Sequence, residues 1–151
     1  MSVSISVRRI ALALALVGLA VCALVESLQA APVSFNAAGS FTTTAVKGPN
    51  SAGTLSGTAS SGDTFTGAFS QRATGQSLSG TVSFDFGGGN TVVFTYQITY
   101  DRRLNRYSGP AIITGGTGAF AGASGGGILI TSAGVGVGSS GSFVFSGTLS
   151  Q

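Results

Sequence analysis

The sequence predicts an all-β protein: a small antiparallel barrel of eight strands that closes on itself, after a cleaved N-terminal signal peptide. Three observations predict it. Apolar and hydroxyl-bearing residues alternate along most of the chain after Val33, clusters of Gly, Ser, Asn and Asp interrupt the alternation at short intervals, and glycines recur inside the alternating runs. A period of two is that of a strand, whose successive side chains point to opposite faces. No window after residue 33 repeats apolar residues at helical spacing, and abundant Thr, Val and Gly disfavour helix.

The first element is the expected signal. Arg8 and Arg9 precede an uninterrupted apolar run from Ile10 to Val25, followed by Glu26, Ser27 and Gln29 and then small residues. That is the order of a secretory signal, and the run falls short of the roughly 20 apolar residues of a spanning helix. Cleavage is expected after Ala30, because a cut after Ala31 would leave Pro32 directly behind the scissile bond. Two competing readings are a retained anchor and lipidation of Cys22. The stretch Leu19-Ala20-Val21-Cys22 resembles a lipobox only loosely, since Val21 stands where a small residue is usual. The expected organisation is therefore 1–30 as signal peptide and 31–151 as one barrel domain, secreted or periplasmic.

Strands are then expected at 34–46, 52–60 and 63–72. A hairpin follows, in which Leu78, Gly80, Val82, Phe84 and Phe86 share one face of the first strand. Val92, Phe94, Tyr96, Ile98 and Tyr100 share one face of the second, over 91–101. Gly87-Gly88-Gly89-Asn90 between them supplies the positive φ of a tight connection. The remaining strands are expected at 106–114, 119–132 and 141–150, which makes eight.

A short echo recurs as Leu55-Ser56-Gly57-Thr58, Leu78-Ser79-Gly80-Thr81 and Ser146-Gly147-Thr148-Leu149. Glycine inside a strand weakens it unless the sheet bends sharply or another backbone approaches, so these positions suit a tightly coiled closed barrel. Eight strands make the smallest barrel whose interior side chains fill or hold one small ligand. A β-solenoid would need a constant repeat length, which the echoes lack. An outer-membrane barrel would show the same period, but the chain has no Trp and only three Tyr with which to build two aromatic girdles.

Composition excludes much chemistry. With 1–30 removed the chain has no Cys, Met or Glu, and it has no His or Trp anywhere. Disulfides, Ser–His and Cys–His nucleophile systems and zinc or copper sites are therefore excluded. No metal and no cofactor are expected. The five remaining cations are Lys47, Arg72, Arg102, Arg103 and Arg106, too dispersed along the chain to track phosphates. Nucleic acid is not an expected partner, and after cleavage neither is a membrane. The acids Asp63, Asp85 and Asp101 each lie at or beside an expected turn, where a solvated role is the ordinary one. Gly115-Gly116-Thr117-Gly118 invites comparison with a dinucleotide-binding turn. No helix follows it and no acid occurs after Asp101, so Gly115, Gly116 and Gly118 are read as a structural turn.

The segment Tyr107-Ser108-Gly109-Pro110-Ala111-Ile112-Ile113-Thr114-Gly115-Gly116-Thr117-Gly118-Ala119-Phe120-Ala121-Gly122-Ala123-Ser124-Gly125 resembles the GGTG-x-F-x-G-A-x-G signature of the allene oxide cyclase and dirigent barrel superfamily. The resemblance covers about a sixth of residues 31–151. It implies an eight-stranded antiparallel barrel of calycin type with a central cavity, and homo-oligomers of the kind the plant members form. Those members fold an unstable fatty-acid epoxide into a cyclopentenone or orient phenoxy radicals for coupling. The cavity residues they use, a glutamate in the cyclases and acids and arginines in the dirigent proteins, are not placed in this chain by the motif.

The candidate ligand-binding residues are Phe94, Tyr96, Tyr100 and Tyr107 with Arg102 and Arg106. Inward tyrosines would give an apolar cavity its polar handles, and arginines at the mouth would receive an anionic head group. The plainer alternative is packed tyrosines beside a solvated loop. The function expected is a non-catalytic binder of an apolar or amphiphilic small molecule, or a matrix component. The alternatives are an isomerase or cyclase that uses a tyrosine hydroxyl, and a structural envelope protein.

Overall fold

A computed structural model of the chain describes residues 31–134 and 136–151. The expected signal, its cleavage after Ala30 and Cys22 lie outside the described residues. The strands are β1 (Val33–Lys47), β2 (Asn50–Ala59), β3 (Thr64–Thr74), β4 (Ser77–Asp85), β5 (Thr91–Asp101), β6 (Arg106–Thr117), β7 (Ser124–Ser132) and β8 (Ser140–Ser150). Each pairs antiparallel with its neighbours in sequence, and β8 pairs back onto β1 to close the barrel. The expected eight-stranded closed antiparallel barrel is what the chain forms, and the antiparallel closure rules out the solenoid. Among the described residues, every strand finds both partners between Val33 and Ser150.

Alternation decides what fills it. Phe35, Phe65, Phe84, Phe94, Phe143 and Phe145 point inward and are buried, whereas Thr54, Ser56, Thr66, Ser70, Thr81 and Thr95 point outward and are exposed. That direction corrects the outer-membrane alternative, since a lipid-facing barrel carries its apolar residues outside.

One end is packed solid. The Phe65 and Phe84 rings stack at 4.3 Å, Phe84 lies 4.8 Å from Phe94, and Phe94 lies 4.9 Å from Phe145. Phe86 and Phe120 close that end with centroids 5.2 Å apart. Interior glycines let the strands coil this tightly. A Cβ on Gly147 would run into the carbonyl oxygen of Gly126 and the Cα of Gly127 across the β7–β8 pairing.

The β4–β5 hairpin forms as expected, with positive φ at Gly87, Gly88 and Gly89. The next connection departs from expectation. β6 runs on to Thr117 instead of ending at 114, and β7 starts at Ser124 instead of 119. A bulge between Val93 and Phe94 on the β5 side leaves Thr114 without a partner and carries Gly115 and Gly116 along inside the strand. Of the expected turn glycines only Gly118 turns, with φ 59°, at the start of a 3-10 turn over Gly118–Phe120. Gly116 is required for closeness, since a Cβ there would meet the carbonyl oxygens of Phe120 and Thr91 at 2.5 Å each.

Candidate functional site

The opposite end is where odd-numbered strands finish and even-numbered strands begin, and the interior there is not filled. A half-open cavity of about 60 Å³ lies under it. Phe41, Leu55, Phe69, Leu78, Val82, Phe84, Leu129 and Phe143 make its apolar wall, and Gln71, Tyr96, Tyr107, Thr131 and Ser132 are its polar members. The space is well under the roughly 150 Å³ of an apolar cavity that admits benzene. It takes a small apolar group or a few waters, and the rest of any larger molecule stays at the mouth.

The β7–β8 connection forms part of the rim. Thr43, turned inward and buried at the β1 bulge, donates its N–H to the Ser139 carbonyl at 2.9 Å, and its carbonyl accepts from Gly138 N–H at 2.8 Å. That pair ties the connection to β1 beyond the last β1–β8 pairing and sets Gly134 against the Phe41 ring, beside the cavity.

The central polar feature is Tyr96. Its hydroxyl is buried and donates to Gln71 Oε1 at 2.8 Å, while Gln71 Nε2 donates to Ser51 Oγ at 3.1 Å. Beyond the relay, the Tyr96 oxygen keeps acceptor capacity and Gln71 Nε2 a second hydrogen, and both residues line the cavity. Burial pushes the Tyr96 phenol well above its ordinary range, because an apolar surrounding disfavours phenolate. Near neutral pH it is a neutral hydroxyl that donates and accepts without acting as a base.

The six expected ligand residues are not all brought together. Tyr96 and Tyr107 line the cavity. Tyr100 stands at the rim with its ring 5.1 Å from Tyr107, and its hydroxyl turns away to donate to Asn105 Oδ1 at 2.6 Å. Phe94 is buried among the closed-end phenylalanines and not in the cavity wall. Arg102 is exposed on the β5–β6 connection. Arg106 lies half-buried at the start of β6, its Nε shielded and without a hydrogen-bond partner among the described residues. Gln71 is the residue sequence reasoning missed. It continues the inward register of Phe65, Gly67 and Phe69, so a polar residue on the apolar face of β3 was the available signal. The acids lie elsewhere: Asp63 and Asp85 are at the closed end, and Asp101 Oδ1 accepts from Arg103 and Leu104 N–H in the β5–β6 connection.

No family model matches the chain, and no curated protein does. Among solved structures it is similar to a pterocarpan synthase dirigent protein, at 14% identity over 80% of this chain and 84% of that one, with a TM-score of 0.46.

Proposed function

We propose that this barrel is a non-catalytic binder, working outside the cytoplasm, that seats a small apolar group of its ligand in the cavity at the open end. The observation that carries the reading is the Tyr96–Gln71 pair, a fixed polar handle in an otherwise apolar, half-open pocket. Binding sites combine an apolar wall with a few oriented polar groups in this way. Support for binding over catalysis comes from the Tyr96 phenol, held protonated by burial, and from the placement of Asp63, Asp85 and Asp101, the acids of the described residues, outside the cavity wall. Support for export is the arrangement of Arg8 and Arg9 ahead of the Ile10–Val25 run. A purely structural role is the second reading, favoured by the phenylalanine-filled half of the barrel.

Native mass spectrometry of the protein purified from its own host tests both parts. The expected spectrum shows a chain beginning at Ala31 and carrying a small-molecule adduct. An adduct-free mass at every charge state contradicts the binder, and a chain that retains residues 1–30 contradicts cleavage.

A further inference from the structure

Barrel topology gathers what the sequence disperses. Lys47 ends β1, Arg72 lies near the end of β3, Arg102 and Arg103 follow β5, and Arg106 begins β6. All five cations of the described residues therefore stand at the open end, while Asp63 and Asp85 stand at the closed end. Asp101 is the one acid beside the cations, and its Oδ1 is engaged by the Arg103 and Leu104 N–H groups.

The same end exposes large apolar side chains on three separate segments. Val46 at the end of β1 is 46% exposed, Leu104 in the β5–β6 connection 55%, and Val137 in the β7–β8 connection 68%. A single exposed Leu or Val is ordinary, and so is a charged loop. Val33, Ile112, Ile128 and Val144 are exposed away from any cation, whereas at this end Val46 adjoins Lys47 and Leu104 adjoins Arg103. A soluble polyanion would satisfy the cations and leave the apolar tips in water. An anionic bilayer satisfies both, because guanidinium and ammonium groups pair with lipid phosphates while short apolar tips enter the acyl boundary.

We infer that the open end of this barrel docks on an anionic lipid bilayer, with Leu104, Val137 and Val46 entering the interface and the five cations meeting the headgroups. The barrel axis then stands on the membrane and the cavity mouth faces it. This holds whatever the cavity contains, so it stands or falls separately from the binder reading.

The test uses residues 31–151, a compact unit that contains the eight strands and the β1–β8 closure. The protein is sedimented with vesicles of phosphatidylcholine alone or with about 30% phosphatidylglycerol, at about 0.1 M and about 0.5 M salt. Binding to the anionic vesicles is expected, at least about tenfold weaker on neutral vesicles and about tenfold weaker at the higher salt. The charge-reversed variant Arg102→Glu/Arg103→Glu is expected to lose at least about tenfold in partitioning. Leu104→Ser/Val137→Ser, unchanged in charge, is expected to lose several-fold. A second readout uses the absence of tryptophan from the chain: emission from Leu104→Trp is expected to shift to the blue on anionic vesicles. Equal binding to both vesicle types, undiminished binding of the charge-reversed variant, an unmoved Leu104→Trp emission, or capture by a soluble polyanion without vesicle binding would each overturn the inference.

Discussion

Tyr96 and Gln71 show how much one residue's setting depends on the fold. Tyr96 was legible because it alternates with Phe94 and Ile98 on a clean strand face. Gln71 was not, because a lone Gln beside Arg72 reads as strand-end polarity until the barrel closes and Tyr96 arrives 25 residues later to donate to it. Replacing Tyr96 by Phe removes that bond and leaves Gln71 Oε1 short of its donor, at a cost of about 1 kcal/mol near neutral pH. The same variant has a signature at high pH. An unfolded phenol ionises near pH 10 while the folded Tyr96 keeps its proton, so the unfolded state loses protons first. The Tyr96 contribution is intact below about pH 10 and drains away above it, by up to about 1.4 kcal/mol per pH unit. Denaturant melts between about pH 9 and about pH 12 are expected to show a steeper fall for the parent than for Tyr96→Phe. Parallel curves would show that burial does not hold the phenol neutral. Gly147 offers a steric counterpart. Gly147→Ala drives a methyl group into the Gly126 carbonyl and is expected to cost about 2–3 kcal/mol by thermal or denaturant melting, whereas the exposed Thr148→Ala stays within about 0.5 kcal/mol.

Elements were legible where the period was clean and illegible where glycine and alanine carried no period. β5 was expected at 91–101 and lies at Thr91–Asp101, since Val, Phe, Tyr and Ile there face one way without interruption. The stretch from Gly115 to Ala123 gives no such signal. What shapes it is an interaction distant in sequence: Asn90, in the β4–β5 connection, accepts the Ala119 N–H at 2.8 Å on Oδ1 and donates to the Gly87 carbonyl at 3.1 Å. Thr117 Oγ1 donates to the Gly89 carbonyl at 2.6 Å. Two connections thus brace each other across the closed end, and the 3-10 turn is seated on the hairpin before it. Asn90→Ala removes both side-chain bonds. Its expected effect is a loss of about 1–2 kcal/mol, with hydrogen exchange accelerated at Ala119 and across Gly118–Phe120 and unchanged in the middle of β5. Uniform acceleration along the barrel would mean that the brace is not local.

At the scale of the whole molecule, composition had already set the chemistry aside, and closure then divided the barrel into two unlike halves. Phe35, Phe65, Phe86, Phe94 and Phe145 cluster with Phe84 toward the closed end, where β1, β3, β4, β5 and β8 each carry one inward. The cavity falls in the other, where Leu55, Val82 and Leu129 stand among Phe41, Phe69 and Phe143 and Tyr96 brings the polar group. Neither half could be assigned from the sequence, because strand direction decides which end a residue occupies. The same reasoning explains why Lys47, Arg72 and the Arg102–Arg106 group read as scattered charges along the chain and as one cationic end in the fold. The central claim is that the Tyr96–Gln71 pair serves a ligand instead of merely filling the barrel. Titration of the isotopically labelled 31–151 barrel with ethanol or 1-propanol, small enough for the cavity, tests it most directly, by following the Gln71 side-chain amide. Saturable shifts confined to Gln71, Tyr96, Leu129 and their cavity neighbours, abolished for the hydroxyl ligand in Tyr96→Phe, are the predicted result. Shifts that never saturate, or that scatter over the outer Ser and Thr face while the Gln71 amide stays still, would contradict it.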